Sequence, residues 1–181
     1  VTSNYRYDLA PYTARCIGEL RTGQALFTQP AMPIKCAGAP QKILYMAADR
    51  WRRAGVPVQA HFLIPGAAIF GVPFYAQALD RVVAHYGITP HFGHTLVEVD
   101  GPGRRAVFET TADGAVSRHE RPFDLLHVVP PQCAPDFIRT SALADAGGWL
   151  AVDQHTLRHV DWPQVWGLGD CTSTPNSKTA A

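Results

Sequence analysis

The chain has 181 residues, of which 46% are hydrophobic and 17% are charged, and this is long enough for one globular domain with a sizeable core. The net charge is +1 and no run of Lys or Arg occurs, so the composition gives no sign of nucleic-acid binding. No apolar run is long enough to cross a bilayer and the first residues lack a signal-peptide pattern, so we expect membrane contact only through segments outside this sequence.

The first third of the chain alternates between helical and strand patterns. Residues 9–21 have the spacing of a short amphipathic helix, and residues 25–28 form a short apolar strand. Residues 41–53 again carry apolar side chains at helical spacing. Pro40 suits the first turn of that helix and Gly55 suits its end, so both boundaries are predicted.

The next elements continue the alternation and then change rhythm. Residues 58–64 are almost continuously apolar, which is typical of a strand covered on both faces. A helix is predicted over residues 73–85, ending at Gly87. Beyond it, alternating polar and apolar runs are separated by Gly-Pro-Gly and Asp-Gly turns, which predicts an antiparallel meander over residues 95–99, 106–110 and 115–119.

Two further strands complete the predicted order, at residues 125–129 and 164–168. The whole pattern predicts an α/β fold: a Rossmann-type, FAD/NAD(P)-binding-like domain with a parallel sheet, helices and a small antiparallel meander layer. We expect residues 1–24 to form a helical segment that leads into this domain, and residues 25–181 to form the domain itself.

The residues that usually hold a dinucleotide in such a fold are missing. The first strand-to-helix turn has a single glycine, Gly38, and Pro40 removes one amide from the place where amides would hold phosphate. The second strand is followed by Pro65-Gly66, with no acidic residue for a ribose hydroxyl. We therefore predict a nucleotide-domain fold without its dinucleotide.

That turn carries a cysteine instead. Cys36 lies just before a predicted helix, where the positive end of the helix dipole favours a thiolate. Lys35 and Lys42 add positive charge in the same direction. Cys171 follows the predicted last strand, which should end at the same edge of the sheet, although sequence distance alone does not show that the two sulfurs meet.

The sequence is also compatible with unreactive roles for the cysteines. Any of the cysteines can be an inert buried side chain, and for Cys16 and Cys133 that reading is preferred. The cysteines form no C-x-x-C or C-x-x-H pair and the eight histidines are dispersed, so no metal site is expected. We expect these histidines at the surface: His91, His94, His155 and His159. The aromatic residues Phe70, Phe74 and Tyr75 suit an apolar quinone pocket or, by preference, core packing.

Four segments resemble a known family. They are IKCAGAPQK at residues 34–42, AIFGV at 68–72, LHVVPP at 126–131 and GDCTSTPNSKTAA at 169–181. Together they resemble the sulfide:quinone oxidoreductases, particularly the mitochondrial type, which are FAD-dependent flavoproteins of the pyridine nucleotide-disulfide oxidoreductase superfamily. The likeness runs in order along the chain from about residue 25, and its two cysteine motifs are the specific part.

The resemblance implies that Cys36 and Cys171 are a redox pair placed against the flavin of FAD. In the family, sulfide attacks the disulfide, one cysteine becomes a persulfide, an acceptor removes the sulfur, and two electrons pass through the flavin to a quinone. Gly169 and Asp170 match the motif that helps to hold the flavin. Lys178 is expected at the start of the next helix, near the flavin or its acceptor.

The family's own glycine-rich FAD fingerprint is absent from this sequence. We therefore expect the chain to be the central piece of a longer protein and to bind little or no FAD by itself. The partners implied are sulfide or another small sulfur species and a quinone, with no nucleic acid. We expect this piece to be soluble, and the full-length protein to be cytoplasmic or peripherally attached to the inner membrane.

Two other functions are compatible with the pattern. The first is an NAD(P)H-dependent reductase of the same superfamily, although the lone Gly38 disfavours a nicotinamide nucleotide. The second is a redox-inert module that serves as an interaction surface in a larger protein.

Overall fold

The structure is a computed structural model that describes residues 1–177, and the chain divides into two compact units. The first unit contains Val1–Ala31 and Gly38–Pro130. The second unit contains Met32–Ala37 together with the chain from Pro131 onward. The predicted boundary after residue 24 stays a prediction.

The first unit is built on a parallel sheet. Its four strands are β1 Gly23–Thr28, β2 Val58–Ile64, β3 Thr89–Phe92 and β7 Leu125–His127. They lie in the order β3-β2-β1-β7, and every neighbouring pair is parallel. The two central strands are mostly apolar, and parallel sheets of this kind are covered on both faces, so their buried side chains alternate between two layers.

Three helices belong to this unit: α1 Ala10–Glu19, α2 Ala39–Ala54 and α3 Pro73–Tyr86. As predicted, α2 has Pro40 in its first turn and ends at Gly55, whose φ of 64° is the left-handed conformation that glycine adopts at little cost. The indole N–H of Trp51 in α2 donates to the Ile17 carbonyl of α1 over 2.9 Å, which ties the two helices together.

The predicted meander is confirmed as an antiparallel sheet of three strands, β4 Thr95–Asp100, β5 Arg105–Ala112 and β6 Ala115–Pro122. The turn between β5 and β6 places Asp113 at φ 51° and Gly114 at φ 78°. Two consecutive positive φ angles match the right-handed twist of a hairpin, and Asp-Gly is a preferred pair for them. The turn chemistry therefore fixes the register of this hairpin.

Two buried clusters show how the sheets and helices are layered. Ala25 and Phe27 of β1 pack with apolar side chains of the helices, including Leu44 and Trp51 of α2. Leu26, which points to the opposite face of β1, packs with side chains of the meander in a second cluster completed by Leu63, Ala106, Phe108, Phe123 and Leu126. The parallel sheet is thus covered by helices on one face and by the meander on the other, and the predicted fold class is confirmed.

The structure corrects two element predictions. Strand β3 was not predicted, because the sequence Thr-Pro-His-Phe lacks an apolar run; its proline is tolerated because β3 is an edge strand. The strand predicted at residues 164–168 is wrong. In the structure, Trp166 forms only an isolated bridge to Arg158, and Trp166 and Leu168 are 61% and 77% exposed. The apolar side chains in this segment have no sheet to cover.

His127 generates a pH prediction for the first unit. It is fully buried, stacks on Phe27 with ring centroids 5.6 Å apart, and hydrogen-bonds through Nε2 to Asn4 Oδ1 over 2.8 Å. Burial lowers the pKa of His127 from its usual 6.5 to about 4. The unfolded chain therefore takes up a proton first as the pH falls, and the stability that neutral His127 contributes above pH 6.5 is lost progressively towards pH 4.

We expect this loss to be on the order of 3 kcal/mol between pH 7 and pH 4. Urea unfolding at several pH values should show a clearly shallower pH slope for His127→Phe than for the unaltered chain. The exposed His155 offers the matched control, and His155→Phe should keep the original slope. Equal slopes for all three proteins would contradict the role given to His127.

Candidate functional site

Cys36 lies in the short segment that leaves the first unit. Met32–Ala37 belongs to the second unit, whereas β1 before it and α2 after it belong to the first. Cys36 has a φ of 60°, the left-handed region that costs a non-glycine residue roughly 1–2 kcal/mol. Strained backbone of this kind is concentrated at functional sites. Its thiol is free and partly buried.

Lys35 anchors this segment within the second unit. Its backbone N–H donates to the side-chain oxygen of Gln132. Its ammonium nitrogen lies 5.9 Å from the ring centroid of Trp149, within cation–π range. Trp149 is itself 8% exposed and belongs to the buried core of the second unit, so Lys35 is held at the edge of that core.

Cys171 is the last residue of a short 3-10 turn, Gly169–Cys171. The turn begins with Gly169 at a φ of 76°, which glycine adopts without strain. The Cys171 thiol is free and partly buried, and it donates a weak hydrogen bond to the Leu168 carbonyl over 3.7 Å. Its side chain packs against the second unit's core, which consists of Ala134, Ile138, Trp149, Leu150 and Val152. One of these residues, Ile138, lies in the short helix α4, Asp136–Arg139.

The adjacent residues Trp149 and Leu150 connect the two cysteine segments. Trp149 contacts Lys35, the neighbour of Cys36. Leu150 donates its backbone N–H to the Cys171 carbonyl over 2.8 Å. Sequence reasoning missed both residues, because Gly-Gly-Trp-Leu reads as an ordinary turn followed by core side chains. The two cysteines therefore share one compact unit as free thiols, and their role as a redox pair stays a prediction.

The remaining predicted site residues lie in different places. Asp170 is exposed in the turn before Cys171. A Cβ placed on Gly169 would meet no atom within 4 Å, so open space lies in front of this turn. Lys42 is exposed in the first turns of α2, in the first unit. Lys178 lies outside the described residues.

The aromatic residues singled out in the sequence lie on or beside a surface groove of the first unit. Phe74 and Tyr75 are 77% and 56% exposed, so the preferred prediction of core packing is wrong for these two. The half-buried Phe70 contacts Tyr75 edge to face, with centroids 6.4 Å apart. The groove has a volume of about 540 Å³ and an almost entirely apolar wall, to which Phe70 and Tyr75 contribute together with Tyr45, Met46 and Leu79.

The histidines predicted to lie at the surface differ in their exposure. His155 is exposed, but His159 is only 3% exposed, so its predicted surface position is wrong. Its Nε2–H donates to the Leu143 carbonyl, while Nδ1 accepts from the backbone N–H groups of Asp161 and Trp162. All three partners are backbone groups, and no sequence pattern indicates that a histidine will be buried against them. Within residues 1–177, no three His, Cys, Asp or Glu side chains are placed to hold a metal ion.

Comparison with known proteins gives strong matches along the whole chain. The mitochondrial sulfide:quinone oxidoreductase of Mus musculus is 41% identical over 183 residues, covering 100% of this chain and 40% of the mouse protein. Its counterpart in Dictyostelium discoideum is 42% identical over 185 residues, again covering 100% of this chain and 40% of the relative. The predicted resemblance to the sulfide:quinone oxidoreductases is confirmed. The chain thus corresponds to well under half the length of these relatives.

The fold comparison agrees with the sequence comparison. The solved sulfide:quinone oxidoreductase of Aquifex aeolicus superposes with a TM-score of 0.79 at 16% identity, covering 99% of this chain and 45% of that one. At this identity the match establishes the fold alone. No protein-family model matches the chain. In the described part of the chain, no helix combines the length and apolar character that crossing a bilayer requires.

The backbone strain at Cys36 generates a stability prediction. Cys36→Gly should be more stable than Cys36→Ala by about 1 kcal/mol, because glycine adopts a positive φ without the clash of a Cβ. At Cys133, which has no such backbone, Cys133→Gly should instead be less stable than Cys133→Ala by about 0.5 kcal/mol. Chemical unfolding of the four variants measures both differences. An advantage for alanine at both positions would show that Cys36 is not strained.

Proposed function

We propose that this chain is part of a flavin-dependent sulfide:quinone oxidoreductase in which Cys36 and Cys171 form the redox pair. The observation that carries the proposal is that the two cysteine segments contact adjacent residues within one compact unit: Lys35 contacts Trp149, and the Cys171 carbonyl accepts a hydrogen bond from Leu150. The 41% and 42% identity to two sulfide:quinone oxidoreductases over the whole chain supports the choice of substrates.

The proposed reaction begins with the two cysteines joined as a disulfide. A hydrosulfide ion attacks one sulfur, which breaks the cysteine–cysteine bond and leaves one cysteine as a persulfide and the other as a thiolate. A nucleophilic acceptor then removes the outer sulfur atom, which leaves two thiolates. Restoring the disulfide releases two electrons, and the quinone takes these up with two protons to become a hydroquinone.

The residues of the second unit are suited to the sulfur steps. Cys36 lies on strained backbone, and Lys35, its neighbour in the sequence, contacts Trp149 through its ammonium group. A lysine next to a cysteine favours the thiolate that the sulfur steps require. Cys171 is partly buried against the core of the unit, so its sulfur is held in place. Lys42 and Lys178 stay supporting residues in the proposal.

The FAD of the longer protein would supply a two-electron acceptor beside the cysteine pair. Gly169 and Asp170 fit a role in holding it, because both are exposed and the space in front of Gly169 is open. A glycine in a left-handed turn lets a ligand approach the backbone closely. Quinones partition into membranes, so a peripheral membrane location of the full-length protein stays part of the proposal.

The two alternative functions are less compatible with the geometry. A nicotinamide nucleotide needs a tight phosphate-binding turn directly between β1 and α2. Here that connection includes Met32–Ala37, which belongs to the other unit, and Pro40 lies in the first turn of the helix. A redox-inert module gives no reason for a strained cysteine where asparagine or glycine would be relaxed.

Replacement of single cysteines in the full-length protein tests the proposal. Cys36→Ser and Cys171→Ser should each lower the rate of sulfide-dependent quinone reduction by at least about a hundredfold, because a hydroxyl neither forms the disulfide nor carries the sulfur. Cys16→Ser and Cys133→Ser are matched controls and should keep the rate within about twofold.

The measurement is the sulfide-dependent loss of quinone absorbance, with FAD content determined for each variant. Unchanged activity in Cys36→Ser would contradict the proposed chemistry and favour the redox-inert module. Saturable NADH binding and NADH-dependent turnover in the same variant would favour the nicotinamide alternative.

A further inference from the structure

A cluster of histidines around one arginine lies at the end of the apolar layer between the parallel sheet and the meander. His61 on β2 and Leu63 lie on the same face of the parallel sheet, and Leu63 belongs to that apolar layer. His91 comes from the edge strand β3, and Arg121 comes from β6 of the meander. Polar side chains therefore replace the apolar core at this end of the first unit.

The hydrogen bonds of the cluster run in one direction. Arginine can only donate, so the contact of 3.3 Å between Arg121 Nη2 and His91 Nδ1 makes His91 Nδ1 an acceptor. In the neutral ring the proton of His91 is then on Nε2, which donates to His61 Nδ1 over 3.1 Å. His61 must in turn carry its own proton on Nε2. The hydrogen bonds are thus donated in sequence, from Arg121 to His91 and from His91 to His61.

This direction leaves donors without acceptors at both ends. His61 Nε2 and Arg121 Nε are buried and have no hydrogen-bond partner in the described structure. Within residues 1–177, Arg121 also forms no ion pair with a carboxylate. An unpaired buried donor costs about 1–3 kcal/mol, and more when it is charged. The cluster therefore lacks an acceptor, and a negatively charged one would serve Arg121 best.

The charge of the cluster resides on the arginine. Burial, followed by the nearby charges of Arg121, His61 and His94, lowers the pKa of His91 to about 4. Burial and Arg121 also lower the pKa of His61. Both rings are therefore neutral at pH 7, and the guanidinium is the fixed positive charge of the cluster.

Arg121 also lines an open cavity of about 660 Å³ in the first unit. Hydrogen-bonding groups surround it, including Thr110 and His119, whose side chains are 2.9 Å apart, and His94. The cavity also borders Glu120, but that carboxylate is already paired with Arg105 over 2.8 Å. The uncompensated charge at the cavity wall is therefore the positive charge of Arg121.

We propose that this cavity is a binding site for a small oxyanion, with the Arg121 guanidinium as its charged anchor. Guanidinium groups bind the oxygens of phosphate and sulfate through paired, charge-assisted hydrogen bonds. Thr110 and His119 supply further polar contacts. The hydrogen bond from Arg121 to His91, which is itself hydrogen-bonded to His61, holds the arginine in place. The ligand is either a free inorganic ion or the phosphate group of a larger molecule, which the cavity is large enough to admit.

Isothermal titration calorimetry of the full-length protein with inorganic phosphate, inorganic sulfate and phenyl phosphate tests this site. Arg121→Gln should weaken binding at least about tenfold, since it removes the charge and the fork of donors. Arg118→Gln is the matched control, because Arg118 lies on the same strand and is exposed and paired with Glu109. It should leave the affinity within about twofold.

The outcomes distinguish a free inorganic ion from the phosphate group of a larger molecule, and they show whether binding depends on Arg121. Tighter binding of phenyl phosphate would support a phosphate group on a larger molecule, and equal binding would support a free ion. Arg121→Lys, which keeps the charge without the fork, should bind with intermediate affinity and provides a second variant if Arg121→Gln is unfolded. The proposal would be overturned if the unaltered protein bound none of the ligands at 20 mM, roughly the weakest affinity of interest. An equal loss of affinity in Arg118→Gln and Arg121→Gln would also overturn it.

Discussion

The proposed chemistry depends on one constraint, which is that the segment Met32–Ala37 leaves the βαβ element in which it begins and packs with residues much further along the chain. The segment is fixed through Lys35, by a backbone hydrogen bond to Gln132 and by a cation–π contact with Trp149. In an ordinary dinucleotide-binding domain this stretch would be a tight turn around phosphate. Here it carries a cysteine into the unit that contains the second one.

The two units thus have separate roles in this account. The first unit keeps the architecture of a nucleotide-binding domain, with a parallel sheet covered by helices and by a meander. As far as residue 177, the second unit holds little regular structure and is organised around a small core, against which Cys171 packs. A fold of this kind can support sites of different chemistry, because function depends on the site rather than on the fold.

Local sequence signals were enough for most of the fold. Pro40 and Gly55 set the ends of α2, and Asp113-Gly114 set the turn between β5 and β6, because each requirement involves only a few neighbouring residues. Strand β3 could not be predicted in this way, since its proline is acceptable only at an edge that the tertiary arrangement creates.

The site was predictable to a smaller extent. The cysteine motifs pointed to Cys36 and Cys171, but the contacts of their segments with the adjacent residues Trp149 and Leu150 join residues distant in sequence, which no local pattern encodes. The buried position of His159 and the cluster around Arg121 arise in the same way, from backbone groups and strands that meet only after folding.

The covalent state of the cysteines in the oxidised, native, full-length protein tests the central claim most directly. After alkylation and digestion, mass spectrometry should find the peptides of Cys36 and Cys171 joined by a disulfide, or by the same link with additional sulfur, while Cys16 and Cys133 are alkylated. If Cys36 and Cys171 are both freely alkylated in the oxidised enzyme, the two thiols are not the redox pair.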